Sequence, residues 1–131
     1  MAEYNVKVED MLNTLLEDKK YSTIKDMLVT MNPADIALLF EEVEENRVPL
    51  LFRLLPKDMA ADTFVEMDSD VQELLIKGFS DYELHEVLDE LYVDDAVDLI
   101  DEMPANVVKR ILAQADPEFR EEIRMLLRYI L

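Results

Sequence analysis

The sequence predicts an all-α protein, a right-handed superhelix of short stacked helices. Three observations support this prediction. Apolar residues recur every twelve positions, the spacing inside each period fits one face of a helix, and residues that begin helices stand at the period boundaries. One glycine and five prolines in 131 residues are also too few for the many tight turns of an all-β fold.

The twelve-residue period divides the chain into ten segments, which start at residues 8, 20, 32, 44, 56, 68, 80, 92, 104 and 116. We call the fifth, eighth, ninth and twelfth positions of each segment the stripe, since steps of three, one and three place four side chains on one helix face. Of these 40 positions, 35 are apolar, whereas the chain as a whole is 50% hydrophobic. The exceptions are Lys19, Thr63, Gln72, Arg120 and Arg124. Each segment is therefore predicted to form one helix of two to three turns.

Helix starts are predicted at most segment boundaries along the chain. The first two segments are predicted to be helical from their stripe alone. Later boundaries carry capping side chains or prolines, at Asn32-Pro33, Pro56, Asp68, Ser80, Pro104 and Asp116-Pro117. A capping side chain accepts a hydrogen bond from an N–H of the first turn, and proline fits the first helical position but breaks a helix interior.

Two segments have weaker starts. Glu44 and Tyr92 are poor capping residues, and Pro49 falls in a first turn, where proline is tolerated. In the segment from residue 92, Asp94 is the better capping residue, so a corner is expected over residues 92–94.

Such short helices are marginal alone and must bury their stripe against neighbouring helices. Two segments together make a helix–turn–helix repeat of 24 residues, which is shorter than the armadillo or tetratricopeptide repeat. The pattern favours an armadillo-like superhelix that forms one domain over residues 1–131. A globular helical bundle is the alternative fold.

The charge balance excludes several classes of partner. Thirty-one Asp and Glu against 13 Lys and Arg give a net charge of −18. Such a surface repels nucleic acid and anionic lipid headgroups, so its expected partners are cations or basic surfaces. No signal peptide is expected at the N-terminus, and the longest aliphatic and aromatic run, residues 36–40, is far shorter than the ~20 residues that cross a bilayer. We expect no nucleic-acid partner and no direct membrane insertion.

The residue types favour a hard metal ion over catalysis. With no cysteine, one histidine and one glycine, the chain lacks a thiolate site, a nucleophilic triad and a phosphate-binding loop, and we expect no enzyme. The single histidine, His85, lies beside the stripe and is expected to be a partly exposed helix residue. Mg²⁺ binds carboxylates and water, and Asp94 and Asp98 stand one helical turn apart, with Asp95 and Asp101 nearby. A solvated acidic face without metal is the alternative.

An ordered series of phrases stands between residues 35 and 129, within a match that runs from about residue 20 to residue 129: DIALLFEE, LFRLLP, AAD, ELHEVLDEL, DDAVDLIDEMP and FREEIRMLLRY. This series resembles the cytoplasmic N-terminal domain of MgtE-type magnesium transporters. The resemblance implies a right-handed superhelix that is followed, in the parent protein, by a pair of CBS domains, a connecting helix and a membrane channel.

The resemblance also implies where metal binds. Mg²⁺ ions between these parts neutralise acidic faces, so high Mg²⁺ keeps the cytosolic part compact and the pore shut. Asp94, Asp98 and Asp62 match acidic residues that bind Mg²⁺ in the family, so the resemblance implies that they contribute to these sites. Carboxylates of the CBS pair or of the membrane side, which this chain lacks, complete them. Any Mg²⁺ that the chain itself holds is therefore expected to be weakly bound.

The implied function is a regulatory Mg²⁺-sensing domain at the cytosolic face of the membrane, in a parent protein expected to be a homodimer. The chain stops where family members continue, so we expect either an excised domain or a stand-alone protein, without transport activity of its own. The alternative is a metal-independent interaction scaffold similar to the flagellar motor switch protein. The basic residues Arg120, Arg124 and Arg128 could form a docking stripe, but the preferred interpretation pairs them with Glu118, Glu121 and Glu122.

Overall fold

A computed structural model describes the backbone of residues 2–130 and the side-chain surroundings of residues 8–129. It is helical throughout, with short corners and no strand within the described range. The α-helices are α1 (Ala2–Glu17), α2 (Tyr21–Leu28), α3 (Pro33–Glu42), α4 (Val48–Arg53), α5 (Lys57–Glu66), α6 (Ser69–Gly78), α7 (Asp81–Asp89), α8 (Val93–Asp101), α9 (Ala105–Gln114) and α10 (Pro117–Ile130). A 3₁₀ turn at Glu45–Arg47 precedes α4. The predicted all-α class is confirmed.

The chain packs as two compact units, Met1–Met67 and Asp68–Leu131. In the N-terminal unit, α1 packs against α2 and α3, and α3 packs against α5. The rings of Phe52 and Phe64 meet edge to face there, with centroids 6.2 Å apart. In the C-terminal unit, α9 packs against α7 and α6, and α10 packs against α8. That both units belong to one domain, and that they follow a right-handed superhelix, stays a prediction.

The helix contacts follow the predicted 24-residue repeat. Helix α3 packs on α5, α7 on α9, and α8 on α10, and in each pair the two helices come from segments that start 24 residues apart. In these three pairs a helix thus contacts its equivalent in the next helix pair. This arrangement is the expected one for stacked helix–turn–helix units.

The stripe forms the core. In the six segments between residues 32 and 103, every stripe position is buried. This includes the two polar exceptions in that range, Thr63 at 0% exposure and Gln72 at 8%. The position in the repeat, rather than the polarity of the residue, therefore decides burial in these segments.

The exception at Lys19 is explained by the end of α1. Lys19 has a positive φ of 58°, while its N–H donates to the carbonyl of Leu16 and the next N–H, of Lys20, donates to that of Leu15. This hydrogen-bond pattern closes the helix with a left-handed residue, a place where glycine is usually found. Lys19 is exposed and points away from the core.

Most predicted helix starts are confirmed, each one residue after the segment boundary. The side chain of Asn32 accepts from the N–H of Asp35 at 3.0 Å. Ser80 and Glu83 form a reciprocal capping box, with bonds of 3.1 Å and 3.0 Å. Asp68 stands at the capping position of α6 but makes no side-chain capping bond.

The predicted corner over residues 92–94 is wrong. Helix α8 begins at Val93 with Tyr92 at the capping position, so Asp94 lies in the first turn. Leu91 and Ala96, the stripe residues on either side of this start, are both buried. An acidic residue in a first turn is also favoured by the positive end of the helix dipole.

The preferred pairing of Arg120, Arg124 and Arg128 is also wrong. Among the described side chains, none of these arginines forms an ion pair with Glu118, Glu121 or Glu122, since each of the ion pairs found in this unit involves other residues. Arg120 instead donates to the carbonyls of Leu112 at 2.7 Å and Ala115 at 3.0 Å. It satisfies carbonyls that the end of α9 leaves without partners.

Arg110 plays the same part at the end of α6. Its guanidinium donates to the carbonyls of Ile76 and Phe79, and it lies 3.2 Å from a carboxylate oxygen of Asp81. Two corners of the C-terminal unit are therefore held by arginine side chains from a neighbouring or following helix.

Candidate metal-binding surfaces

The exposed face of α8 carries the predicted carboxylate pair. Asp94 and Asp98 stand one helical turn apart and are both exposed. The opposite face of the same helix is buried, through Ala96, Val97, Leu99 and Ile100. Burial of the stripe therefore leaves the two aspartates on the solvent side.

No cation balances this pair within the described side chains. Neither Asp94 nor Asp98 takes part in an ion pair there. Two like charges one turn apart cost a helix a few tenths of a kcal/mol, and a bound divalent ion removes that cost. Mg²⁺ uses one or two carboxylates and several waters in an octahedral shell, which suits an exposed pair of oxygen ligands.

The pair is nevertheless an incomplete site. Among the described side chains, no third carboxylate or imidazole joins Asp94 and Asp98 in a group compact enough to hold one ion. Two carboxylates supply only part of the six positions around Mg²⁺, so water or another surface must supply the rest. The assignment of both residues as metal ligands stays a prediction.

Asp62 lies on α5, in the N-terminal unit. It is exposed, while Ala60, Ala61, Thr63 and Phe64 of the same helix are buried. No compact ligand group within the described residues includes it. Its role as a metal ligand also stays a prediction.

A different group of possible ligands surrounds His85 on α7. The ring atom Nδ1 lies 2.9 Å from the carbonyl oxygen of Gln114, and Nε2 lies 3.8 Å from Oδ1 of Asp116. Asp89 follows His85 by one helical turn. One ligand atom from each of His85, Asp89 and Asp116 can be chosen so that all lie within 4.8 Å of one another.

The surroundings of His85 favour its charged form. The hydrogen bond to the Gln114 carbonyl raises its pKa above the usual 6.5, partial burial opposes this, and the nearby carboxylates of Asp116, Asp89 and Glu86 raise it further. The expectation that His85 is a partly exposed helix residue is confirmed, since its side chain is 34% exposed.

Sequence reasoning missed the group around His85. The sequence shows that His85 and Asp89 are four residues apart on a predicted helix. It does not show directly that Gln114 and Asp116 lie near His85, because that follows from the 24-residue repeat, which places α7 beside α9.

Across residues 2–130, no helix combines the length and the apolar character that crossing a membrane requires.

The sequence and the fold are both similar to known proteins. A sequence model of the family described as the MgtE intracellular N domain matches residues 31–130. The crystal structure of the cytosolic domain of the Mg²⁺ channel MgtE in complex with ATP is similar to this chain with a TM-score of 0.77 and 27% sequence identity, over 92% of this chain and 50% of that one. The soluble part of a magnesium transporter is similar with a TM-score of 0.80 and 19% identity, over 95% and 50%. The chain thus spans half the length of each solved chain. No curated protein sequence shows a significant match.

Proposed function

The chain belongs to the family of MgtE intracellular N domains, and from this membership we propose that it is the regulatory cytosolic domain of a magnesium transporter or channel. In this proposal the domain senses intracellular Mg²⁺ and has no transport activity by itself. Its partners are a CBS-domain pair and a membrane domain of the same parent protein, which acts as a homodimer.

The observation that carries the proposal is the exposed carboxylate pair on α8. Asp94 and Asp98 have no basic partner among the described side chains and no third ligand. Such a pair offers a divalent ion part of its ligands, and in this proposal a second surface supplies the rest. The relative with 27% identity is the cytosolic domain of a Mg²⁺ channel, which supports Mg²⁺ as the ion.

The mechanism follows from electrostatics. The chain has a net charge of −18, so its acidic face repels another carboxylate-rich surface over roughly a Debye length, about 8 Å at physiological ionic strength. Mg²⁺ ions between two such faces turn the repulsion into attraction, because each ion contacts carboxylates of both. Docked and undocked orientations are the two states, and Mg²⁺ favours the docked one because only that state offers complete sites.

The proposed regulation has a defined direction. At high cytosolic Mg²⁺ the domain docks and holds the pore shut, and at low Mg²⁺ the ions leave, the domain moves away and the pore opens. Asp62 contributes a further ligand from α5 under the same principle. The isolated chain, with only its own carboxylates, binds Mg²⁺ weakly.

The test begins with the chain alone. Mg²⁺ is titrated into the ¹⁵N-labelled protein, with K⁺ at matched ionic strength as the reference for screening. We expect weak, saturable amide shifts over residues 93–101, and we expect Asp94→Asn/Asp98→Asn to remove them. The matched control is Glu118→Gln/Glu122→Gln, an exposed pair with the same spacing on α10. If the two double variants weaken Mg²⁺ binding by the same factor, Mg²⁺ only screens the acidic surface and the assignment is refuted.

Docking itself is tested in the parent protein. Small-angle X-ray scattering should show a cytosolic part that becomes compact as Mg²⁺ rises. The Asp94→Asn/Asp98→Asn variant should need more Mg²⁺ for the same change. A cytosolic part whose dimensions ignore Mg²⁺ would contradict the sensing mechanism.

A further inference from the structure

We propose that His85, Asp89 and Asp116 form a second metal site in the C-terminal unit, one that takes a divalent transition-metal ion such as Zn²⁺ or Co²⁺ rather than Mg²⁺. The site shares no residue with the carboxylate pair on α8. It does not depend on the proposed Mg²⁺-sensing function.

The three ligands come from two places in the unit. His85 and Asp89 lie one turn apart on α7, and Asp116 lies in the corner between α9 and α10. Their closest ligand atoms fall within 4.8 Å of one another. Around a four-coordinate Zn²⁺, with bonds of about 2.0–2.2 Å, neighbouring ligand atoms are about 3.4 Å apart. Asp89 and Asp116 are both exposed, so their side chains can rotate to bring the ligand atoms closer together.

The hydrogen bond of His85 supplies an independent indication. Nδ1 faces the carbonyl oxygen of Gln114 at 2.9 Å, and since a carbonyl only accepts, Nδ1 must carry the proton. In the neutral ring Nε2 then presents its lone pair. A metal-binding histidine almost always donates its other N–H in this way, to a carbonyl or a carboxylate, because that bond fixes the tautomer and the ring orientation.

The second ring nitrogen, Nε2, lies near a carboxylate without a hydrogen bond to it. Nε2 and Oδ1 of Asp116 are 3.8 Å apart, which is too long for a hydrogen bond. The gap is wide enough for an ion to contact both atoms. Asp89 takes part in no ion pair among the described side chains, so its carboxylate is available as the third ligand.

The donor set decides the class of ion. Mg²⁺ demands oxygen ligands in an octahedron and keeps several waters, whereas imidazole nitrogen suits Zn²⁺, Co²⁺, Ni²⁺ and Cu²⁺. One nitrogen and two carboxylates leave a fourth position open for water. Two carboxylates also balance the charge of a divalent ion.

A bound ion would join α7 to the corner between α9 and α10. Because only the folded unit presents the three ligands together, binding stabilises that unit in proportion to the logarithm of the metal concentration over Kd. The alternative role of the group is a simple ion pair between protonated His85 and the aspartates, which needs no metal.

The test uses the full 131-residue chain without an affinity tag, so that His85 is its single histidine. Zn²⁺ alone is titrated by calorimetry, and Co²⁺ absorption reports the coordination geometry. The imidazole resonances, which have one possible source, report whether Nε2 becomes a ligand. We expect one Zn²⁺ per chain, a shift of the Nε2 resonance, and no displacement by a tenfold excess of Mg²⁺.

The variants separate the ligand role from a structural one. His85→Asn keeps a hydrogen-bond donor near the Gln114 carbonyl but removes Nε2. Asp116→Asn replaces a charged carboxylate ligand with a neutral amide. Each is expected to weaken Zn²⁺ binding at least tenfold while the amide spectrum stays that of the folded chain. Asp94→Asn/Asp98→Asn should bind Zn²⁺ as the wild type does. Wild-type affinity in His85→Asn, absence of Zn²⁺ binding, or displacement by Mg²⁺ would each overturn the proposal, whatever the α8 pair does with Mg²⁺.

Discussion

Replacing Thr63 with valine should stabilise the protein. Thr63 occupies a stripe position on α5 with 0% exposure, and its Oγ1 has no hydrogen-bond partner. Valine has nearly the same shape and substitutes a methyl group for the hydroxyl. The substitution therefore removes a polar atom that the core does not satisfy and leaves the packing around it in place.

The size of the effect follows from two contributions. A buried polar group without a partner costs about 1–3 kcal/mol, because its hydrogen bonds to water are lost and not replaced. A further buried methyl group contributes roughly 0.8 kcal/mol. Threonine and valine differ little in helix propensity, so that contribution is small. We expect Thr63→Val to raise the free energy of unfolding by about 2–4 kcal/mol, the sum of the two contributions.

Urea denaturation followed by circular dichroism measures this change through the transition midpoint. Two further variants separate the contribution of the hydroxyl from those of the methyl group and of burial. Thr63→Ser keeps the unsatisfied hydroxyl and deletes a buried methyl group, so it should lower stability by roughly 1 kcal/mol. Thr23→Val, at an exposed position of α2, should change it by less than about 0.5 kcal/mol. If Thr63→Val is no more stable than the wild type, the hydroxyl has a partner after all and the argument fails.

Three more predictions concern the ends of helices and the histidine. Lys19→Gly should raise the free energy of unfolding by about 0.5–1 kcal/mol in the same urea assay, because glycine adopts the left-handed φ of 58° without the steric cost; unchanged stability would argue against strain there. Arg110→Met should lower it by about 1–3 kcal/mol, since the carbonyls of Ile76 and Phe79 lose their donor. Asp81→Asn, which removes the exposed ion pair with Arg110 and one first-turn charge of α7, should change it by less than about 1 kcal/mol, and equal losses in the two variants would assign the effect to charge. The raised pKa of His85 predicts that, in buffer with a chelator, the stability difference between wild type and His85→Asn is largest below the unfolded pKa of 6.5 and is lost as pH rises through the higher folded pKa. A difference that grows with pH would contradict the assigned direction.

The periodic part of the structure was predictable because burial repeats. Stacking against neighbouring helices fixes which positions of a helix face the core. The stripe identifies these positions even where the residue is polar, at Thr63 and Gln72. The helix starts were predictable from prolines and capping side chains because these residues act on backbone atoms only a few residues away. Asn32 and Ser80, for example, each accept a hydrogen bond from an N–H three residues further along the chain.

Two of the errors occur where a side chain meets backbone outside its own helix. Arg120 was expected to pair with acidic neighbours on its own helix but reaches the carbonyls of Leu112 and Ala115. Carbonyl groups exist at every residue, so no sequence pattern marks the ones that lack a partner. The same holds for Nδ1 of His85, whose partner carbonyl is 29 residues away. Local sequence also placed the start of α8 too late, because capping preference selects Asp94 whereas the helix begins at Val93 with the acidic residue inside its first turn.

The acidic pairs show why the site could not be found from spacing alone. Three segments carry carboxylates at their third and seventh positions, one helical turn apart and exposed: Asp58 with Asp62, Asp94 with Asp98, and Glu118 with Glu122. Folding constrains the stripe and leaves these positions free, and each pair costs its helix only a few tenths of a kcal/mol. Such pairs can therefore serve metal binding without disturbing the core. Because all three share spacing and exposure, only the surface that meets them can distinguish a metal site from a solvated face. Asp62 and Asp98, which the family resemblance selects, occupy the same repeat position, so Asp58 is the expected partner of Asp62, just as Asp94 is of Asp98.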